Sequence, residues 1–164
     1  MIIYLKNKDT LQVDAFKFKC CIGKNSLSKN KIEGDHKTPI GLFKLGDLYF
    51  RKDKTKKPVS RLKKIIIKRK MGWCNDVTNK KKYNKLIKTN NKIRHEKLFR
   101  KDYKYDLLIP IKYNYNKPIL GKGSCIFIHL TKNYKPTEGC IALKKKDFLI
   151  MLKLINKKTK IKIS

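Results

Sequence analysis

Residues 123–147 read GSCIFIHLTKNYKPTEGCIALKKKD and form the most informative stretch of the chain. The run Ser124–Leu130 is predicted to be a β-strand bounded by turn residues. His129 lies near its end and shares a face with Phe127 and Cys125, because side chains alternate along a strand. The stretch therefore predicts a strand that presents a histidine.

A turn-rich connection, 131–138, follows this strand and leads through Gly139 and Cys140 toward the last helix. That helix is predicted over Lys146–Asn156, because its apolar residues recur at helical spacing. A weaker helical pattern covers Ile93–Arg100. The main helix is thus expected to follow the cysteine.

Short strand-like runs separated by turn residues make up most of the remaining chain. They are Ala15–Ile22, Leu42–Leu45, Leu62–Lys68, Asp106–Tyr113 and Lys160–Ile163. Many short strands with one or two helices predict a mainly β fold, a sandwich or a partial barrel. A chain of 164 residues suits one compact domain, so residues 1–164 are expected to form a single domain.

Charge is the unusual feature of the composition. Lys and Arg number 44 against 12 Asp and Glu, a formal net charge of +32, whereas 40% of the residues are hydrophobic. That hydrophobic share excludes a disordered basic tail. Only five of the cations are Arg, and recognition of phosphates or base edges favours Arg over Lys. The excess therefore indicates a Lys-rich composition more than a dedicated nucleic-acid surface.

More than half of this excess lies in 51–105, which holds 22 Lys or Arg against 4 acidic residues. We interpret this segment as a Lys-rich insertion or lid within the single domain. A non-enzymatic alternative is a basic protein that uses the segment to bind nucleic acid or an anionic membrane. We expect no specific nucleic acid partner, at most a weak attraction to anionic surfaces, and a monomer.

The cysteines and the first residues bear on redox chemistry and compartment. The five cysteines are odd in number and lack CxxC spacing, so neither a disulfide framework nor a zinc site is expected, and no metal or cofactor is predicted. No apolar stretch is long enough to span a membrane, and Met1–Leu5 turns polar at Lys6. The sequence as written has no secretory signal, which favours the cytoplasm; a truncated start would favour the periplasm or cell wall.

Cys140 and His129 are the candidate chemical groups. If the fold brings them together, the thiol can act as a nucleophile and the imidazole as its base, as a thiolate and imidazolium pair. Gly139 would let a substrate carbonyl approach backbone N–H groups that stabilise an oxyanion. Spacing alone also fits a buried apolar cysteine and a satisfied core histidine, so both interpretations stay open at this point.

The same stretch resembles the active-site motif of the L,D-transpeptidase catalytic domain, or YkuD-type, family. In that family a strand histidine precedes a loop and an S-x-G-C-[IV]-R-[ML] element, which an Asp follows. Here residues 137–143 read TEGCIAL, and Asp147 stands where the family's Asp falls. Residues 33–41, EGDHKTPIG, resemble the family's G-x-x-x-x-TP-x-G element.

A compact single-domain branch of that family is similar to the chain at further points. These are GWCND at 72–76, YN at 83–84, GKGS at 121–124 and NYKPTEGC at 133–140. The matches run in order over nearly the whole chain. The resemblance implies the family's mainly β fold and a bacterial enzyme of cell wall biogenesis that acts on peptidoglycan.

The resemblance also implies roles for the motif residues. Cys140 would attack the carbonyl of an L,D peptide bond in a peptidoglycan stem peptide, release D-alanine and form a thioester, while His129 moves the proton. Backbone N–H groups around Gly139 would stabilise the oxyanion, and Thr137 would hydrogen-bond within the turn. An amine acceptor from a second stem makes the enzyme an L,D-transpeptidase. Water as the acceptor makes it an L,D-carboxypeptidase of soluble muropeptides.

The chain departs from the family pattern at two motif positions. Thr137 replaces the usual Ser and keeps a hydroxyl, whereas Ala142 replaces an Arg that is expected to organise the pocket or face a substrate carboxylate. The connection between the histidine and the cysteine is also shorter than in the commonest form. The candidate substrate-binding residues are Thr137, Glu138, Tyr134 and Trp73. Trp73 either lines a groove together with Tyr83 or anchors the insertion as a buried aromatic.

Overall fold

A curled sheet of ten strands forms the centre of the protein in the computed structural model, which describes residues 1–89 and 92–164. The elements are β1 (Ile2–Lys6), β2 (Thr10–Val13), β3 (Phe16–Cys21), β4 (Leu27–Ser28), β5 (Thr38–Pro39), β6 (Gly41–Lys44), β7 (Leu48–Phe50), β8 (Lys64–Ile66), β9 (Met71–Cys74), β10 (Leu86–Lys88), β11 (His95–Lys97), β12 (Leu107–Pro110), β13 (Phe127–Leu130), β14 (Ile141–Leu143), α1 (Lys145–Leu154) and β15 (Lys160–Ile163). The strand order in the large sheet is β6-β15-β1-β2-β3-β14-β13-β12-β7-β8. Two smaller sheets have the orders β10-β9-β11 and β4-β5. The prediction of a mainly β fold is confirmed.

One half of the large sheet combines the first strands with the last. β1 and β2 are joined by a tight turn in which Asn7 and Lys8 both have positive φ, a geometry whose twist matches a hairpin. β2 pairs antiparallel with β3 and places Leu11 opposite Phe18. β15 pairs parallel with β1 and antiparallel with β6, so the first and last strands lie side by side.

The central strands are buried on both faces, and each face has its own apolar core. In β12, Leu107 and Ile109 belong to the core on the helix side, whereas Leu108 between them belongs to the opposite one. The opposite cluster, here called the aromatic core, consists of Tyr49, Ile67, Trp73, Leu98, Tyr105, Leu108, Phe127 and Cys140. The predicted cysteine nucleophile therefore lies on the face away from the helix.

The helix α1 follows β14 and covers the other face. It begins one residue before the predicted start and buries Phe148, Met151 and Leu152 in the helix-side core. Asp147 lies in its first turn, where the helix dipole favours a carboxylate. No helix in residues 1–89 and 92–164 has the length and apolarity needed to cross a membrane.

The described part of the Lys-rich segment 51–105 contains the four strands β8–β11. β8 extends the large sheet as an edge strand parallel to β7. β9 lies between β10 and β11 and carries Trp73 into the aromatic core, which Leu98 enters just after β11. The segment thus buries some of its apolar residues, among them Ile67, Trp73 and Leu98, while most of its lysines lie at the surface.

The weak helical pattern at Ile93–Arg100 is wrong, because this stretch contains the strand β11. Its pairing with β9 places Glu96 opposite Trp73, and the adjoining Leu98 is fully buried. A tertiary pairing of this kind outweighs a weak helical propensity.

The predicted strand at Ser124–Leu130 is shorter than expected. Cys125 has a φ of +56°, which is incompatible with extended backbone, and β13 begins only at Phe127. The prediction that Cys125 shares a strand face with His129 is therefore wrong. The other predicted strands and the main helix are confirmed, most of them with shorter bounds.

Candidate active site

His129 lies in β13, in the middle of the large sheet. Its Nδ1 is 3.0 Å from the backbone oxygen of Leu130, and its ring meets the Tyr105 ring edge-on with centroids 5.3 Å apart. An Nδ1–H that donates to this carbonyl leaves the Nε2 lone pair free to accept a proton. The position therefore suits a general base.

Burial controls the charge of this imidazole. His129 is 6% exposed, and burial lowers its pKa from 6.5 to about 4, while the hydrogen bond to Leu130 acts in the opposite direction. The ring is consequently neutral at neutral pH. A neutral imidazole is the form that can take a proton from a thiol.

Cys140 comes directly before β14, which pairs parallel with β13. The register places Ala142 opposite His129 and Ile141 opposite Ile128, so Cys140 continues the strand opposite Phe127. Since side chains alternate, Cys140, Ala142 and His129 share one face of the sheet. The parallel pairing therefore brings the predicted nucleophile and the predicted base to diagonal positions on the aromatic-core face.

The Cys140 thiol is held by backbone groups. Its Sγ accepts a hydrogen bond from the N–H of Phe127 at 3.3 Å and donates to the oxygen of Cys125 at 3.2 Å. Burial raises the pKa of this thiol from 9.0 to about 12, partly opposed by the Phe127 hydrogen bond. The pair thus rests as a neutral thiol and a neutral imidazole, and not as a preformed thiolate and imidazolium pair.

The turn before Cys140 is fixed by two threonines. Thr137 Oγ1 donates to the oxygen of Cys140 at 2.6 Å and accepts from the N–H of Gly139 at 3.1 Å. Thr38 Oγ1 donates to the oxygen of Gly139 at 2.9 Å and accepts from the N–H of Gly23. The predicted hydrogen bond of Thr137 within the turn is present, and the N–H of Gly139 is already used by it.

Gly139 cannot be replaced by a larger residue without strain. Its φ is +133°, and an added Cβ would lie 2.8 Å from the backbone oxygen of Lys37. The glycine thus allows the loop that contains Thr38 to approach the nucleophile turn closely.

A second loop is positioned by Asn84, which is 4% exposed. Its Oδ1 accepts from the N–H of Cys125 at 3.1 Å and from Trp73 Nε1 at 2.9 Å, and its Nδ2 donates to the backbone of Tyr113 and Asn114. The backbone oxygen of Cys125 accepts the hydrogen bond from the Cys140 thiol. Asn84 therefore positions the backbone that binds the nucleophile. Sequence reasoning missed this role, although Asn84 belongs to one of the motifs that matched.

Trp73 is a buried anchor. It is 1% exposed and packs against Tyr49, Tyr115 and Phe127. Of the two interpretations of Trp73 the structure shows the buried one, and its link to the site runs through Asn84. Tyr83 is also buried, and its hydroxyl donates to the Glu33 carboxylate.

Glu138 and Tyr134 lie nearer the surface. Glu138 is exposed, next to Gly139 in the nucleophile turn. Tyr134 is partly exposed, and its ring lies 5.0 Å from Lys19 Nζ and 5.3 Å from Lys144 Nζ. Both side chains are accessible to a substrate.

Ala142 occupies the position of the family Arg and is 1% exposed. It lies opposite His129 in the parallel pair, so this position presents a methyl group beside the imidazole. Among residues 1–89 and 92–164, no three His, Cys, Asp or Glu side chains are grouped as metal ligands.

The fold and the site define a mainly β protein with a buried histidine on one strand and a buried cysteine directly before the parallel strand beside it. The chain belongs to the YkuD family, the L,D-transpeptidase catalytic domain, which matches residues 1–163. Members of this family are cysteine-dependent enzymes that act on peptidoglycan.

Solved structures show the same fold. The helical cell shape determining protein Pgp2 from Campylobacter jejuni aligns with a TM-score of 0.55 and 18% identity over 99% of this chain and 46% of that chain. A lysine-to-alanine mutant of the same protein aligns with a TM-score of 0.53 and 19% identity, with the same coverage. The chain therefore spans less than half the length of these proteins. No curated protein matches the chain.

Proposed function

We propose that the protein is an L,D-acyl-transfer enzyme that forms a thioester on Cys140 from a peptidoglycan stem peptide and releases D-alanine. The observation that carries this proposal is the parallel pairing of β13 and β14, which places Cys140 and His129 on one face. The family's action on peptidoglycan stem peptides supports the substrate class.

The mechanism follows from the neutral resting pair. The thiol turns from the Cys125 oxygen toward Nε2 of His129, which takes the proton as sulfur attacks the carbonyl carbon of the L,D bond. The C–S bond forms, and the tetrahedral intermediate collapses as the C–N bond breaks. His129 then returns the same proton to the leaving amine of D-alanine.

The oxyanion would be stabilised by the backbone at the nucleophile turn. The N–H of Gly139 donates to Thr137 Oγ1, so we assign the oxyanion contact to the N–H of Cys140. Gly139 contributes by keeping this turn tight. Glu138 and Tyr134, at the accessible side of the loop, are proposed to contact the stem peptide.

The acceptor distinguishes two enzymes. Attack on the thioester by an amine of a second stem gives an L,D-transpeptidase, which is the proposed activity. Hydrolysis gives an L,D-carboxypeptidase, and the buried Ala142 favours this second candidate because its position offers no cation to hold an acceptor carboxylate. The two differ only in the second half-reaction.

Mass spectrometry of a disaccharide tetrapeptide incubated with the protein tests the proposal. Release of D-alanine with a crosslinked dimer supports the transpeptidase, and release with a tripeptide product supports the carboxypeptidase. Cys140→Ala should abolish both, whereas Cys20→Ala, which removes a buried thiol on the helix-side core, should not. Absence of D-alanine release, together with no mass adduct on Cys140 after exposure to a carbapenem, would contradict the proposal.

A further inference from the structure

Lys31 differs from every other lysine that the structure describes. The side chains of the other lysines in residues 1–89 and 92–164 are exposed or half-buried, but Lys31 is 4% exposed. Burying an ammonium is costly unless it is paired, so a buried lysine in a chain this rich in surface lysine requires a local cause. Its surroundings supply one.

The protein provides a defined place for this side chain. Its stem lies over Gly123, where an added Cβ would come within 2.9 Å of Lys31 Cε. Its Nζ lies 3.5 Å from the place a Cβ would occupy on Gly139, next to the nucleophile. Both glycines have positive φ, +97° and +133°. Because neither carries a Cβ, there is room for the Lys31 side chain beside them.

The ammonium is paired with Asp35 in a fixed geometry. Lys31 Nζ lies 2.6 Å from Asp35 Oδ1, and the same carboxylate accepts the N–H groups of Ile32 at 2.8 Å and Lys37 at 2.9 Å. These backbone hydrogen bonds and Lys31 hold the pKa of Asp35 below its usual value, against the opposing effect of burial. The carboxylate therefore stays charged and keeps the ammonium at the turn.

Few charged groups act on the Cys140 thiol. Glu96 and Glu138 raise its pKa, and Lys31 lowers it. Tyr105 and Cys125 also interact with the thiol, and His129 on the same face is neutral. In a water-poor site a charge acts over a longer distance than in solvent, so the position of one ammonium matters.

We propose that Lys31 is a positioning residue that acts through Cys140: its ammonium at Gly139 stabilises the thiolate that forms when the thiol gives up its proton. The inference rests on the proposed function, in which the Cys140 thiolate is the nucleophile. The effect of the Lys31 charge on Cys140 can nevertheless be measured without any peptidoglycan substrate.

Alkylation of Cys140 by iodoacetamide, measured by peptide mass spectrometry from about pH 7 to about pH 9.5, tests this assignment, because only the thiolate reacts. Lys31→Met keeps the stem over Gly123 and removes the charge. Because this pH range lies below the pKa of Cys140, the reaction of this variant should be about tenfold slower than that of wild type at every pH, which corresponds to a rise of about one unit in the pKa of the thiol. Lys31→Arg should remain within about twofold of wild type, as should Lys24→Met on the exposed surface.

Asp35→Asn separates an electrostatic role from a structural one. It breaks the same ion pair but leaves the ammonium uncompensated, so the pH profile should move down. A lysine that merely braced the turn would give shifts in the same direction for Lys31→Met and Asp35→Asn, or no shift at all, and either result overturns the assignment. If Lys31→Met does not fold, the direction of the Asp35→Asn shift decides. If the wild-type protein released no D-alanine, this result would count against the proposed function and not against the effect of the Lys31 charge on Cys140.

Discussion

The candidate site and the Lys-rich segment 51–105 use charge in opposite ways. The segment holds 22 cations, most of them at the surface, where salt screens each charge within about 10 Å. The site contains one buried ammonium, a buried thiol and a buried imidazole, and burial raises the pKa of the thiol to about 12 and lowers the pKa of the imidazole to about 4. The position of a charge, more than the number of charges, is therefore expected to control the chemistry of this protein.

The largest expected effect is the loss of the base. His129→Gln should reduce D-alanine release by about 10³-fold, because general acid–base catalysis contributes about that much. The measurement is kcat/KM on a disaccharide tetrapeptide. His36→Asn is the matched control, since His36 lies in a turn with a φ of +56° that Asn tolerates, and it should keep nearly full activity. Equal activity of both variants would show that His129 is not the base.

The buried imidazole should also make folding sensitive to acid. Its pKa is lowered from 6.5 to about 4 in the folded state, so its stabilising contribution is complete above pH 6.5 and is lost as the pH falls toward 4. The expected loss is roughly 3 kcal/mol of unfolding free energy. Denaturant titrations at several pH values measure it, and His129→Gln should remove that part of the slope. An unchanged slope in this variant would contradict the buried neutral form.

Substitution of Asn84 tests the hydrogen bonds that position the backbone next to Cys140. Asn84→Ala leaves the N–H of Cys125 and Trp73 Nε1 without their shared acceptor, which should cost about 2 kcal/mol of stability. The matched control is Asn133→Ala at an exposed position, which should change stability by less than about 0.5 kcal/mol. Equal thermal and denaturant midpoints for the two variants would show that the hydrogen bonds of Asn84 do not contribute to stability.

Gly139 should respond more strongly than an equally unusual glycine elsewhere. Gly121 also has a positive φ, +76°, but has open space where a Cβ would lie, whereas Gly139 has the Lys37 oxygen there. Gly121→Ala should cost about 1 kcal/mol from backbone strain alone, and Gly139→Ala about 1 kcal/mol more. Denaturant unfolding measures both. The reverse order would mean that the close approach of the Thr38 loop is not a constraint.

The smallest effect is expected in the Lys-rich segment. Lys57→Gln and Lys80→Gln remove two exposed charges and should change stability by less than about 0.5 kcal/mol. They should also leave the pH profile of Cys140 alkylation unchanged, because screened surface charges act weakly. If the alkylation rate of Cys140 changed as much as it does in Lys31→Met, surface charges would act on the thiol as strongly as the buried ammonium does.

Alternation of buried and exposed residues predicted some strands but not all, since β1 and β2 alternate as well and were missed. Lys160–Ile163 alternates Lys with Ile and matches β15 in both bounds. β14 was missed because its three residues are all buried and show no alternation. β9 and β10 in the Lys-rich segment were missed as well, since they depend on pairing with each other and on the burial of Trp73.

The site was predictable only as far as its motif extends. Cys140, His129 and the turn residue Thr137 follow from the sequence pattern, and the structure brings them to one region. Thr38 bonds to a residue 101 positions away, and Asn84 to one 41 positions away. Their motifs matched, but contacts at such separations appear only once the sheet order is known. Lys31 carried no signal among 39 lysines.

β1 and β15 lie side by side in the large sheet, and this arrangement affects how the sheet forms during folding. The half-sheet β6-β15-β1-β2-β3 takes four of its strands from residues 2–44 and the strand that joins β6 to β1 from Lys160–Ile163. Without β15, β1 would have an unpaired edge and β6 would have no neighbour in the sheet, because β15 lies between them. Since Ile2 pairs with Lys160, this half-sheet is completed by a contact between residues far apart in the sequence, and such non-local pairing is expected to form late in folding.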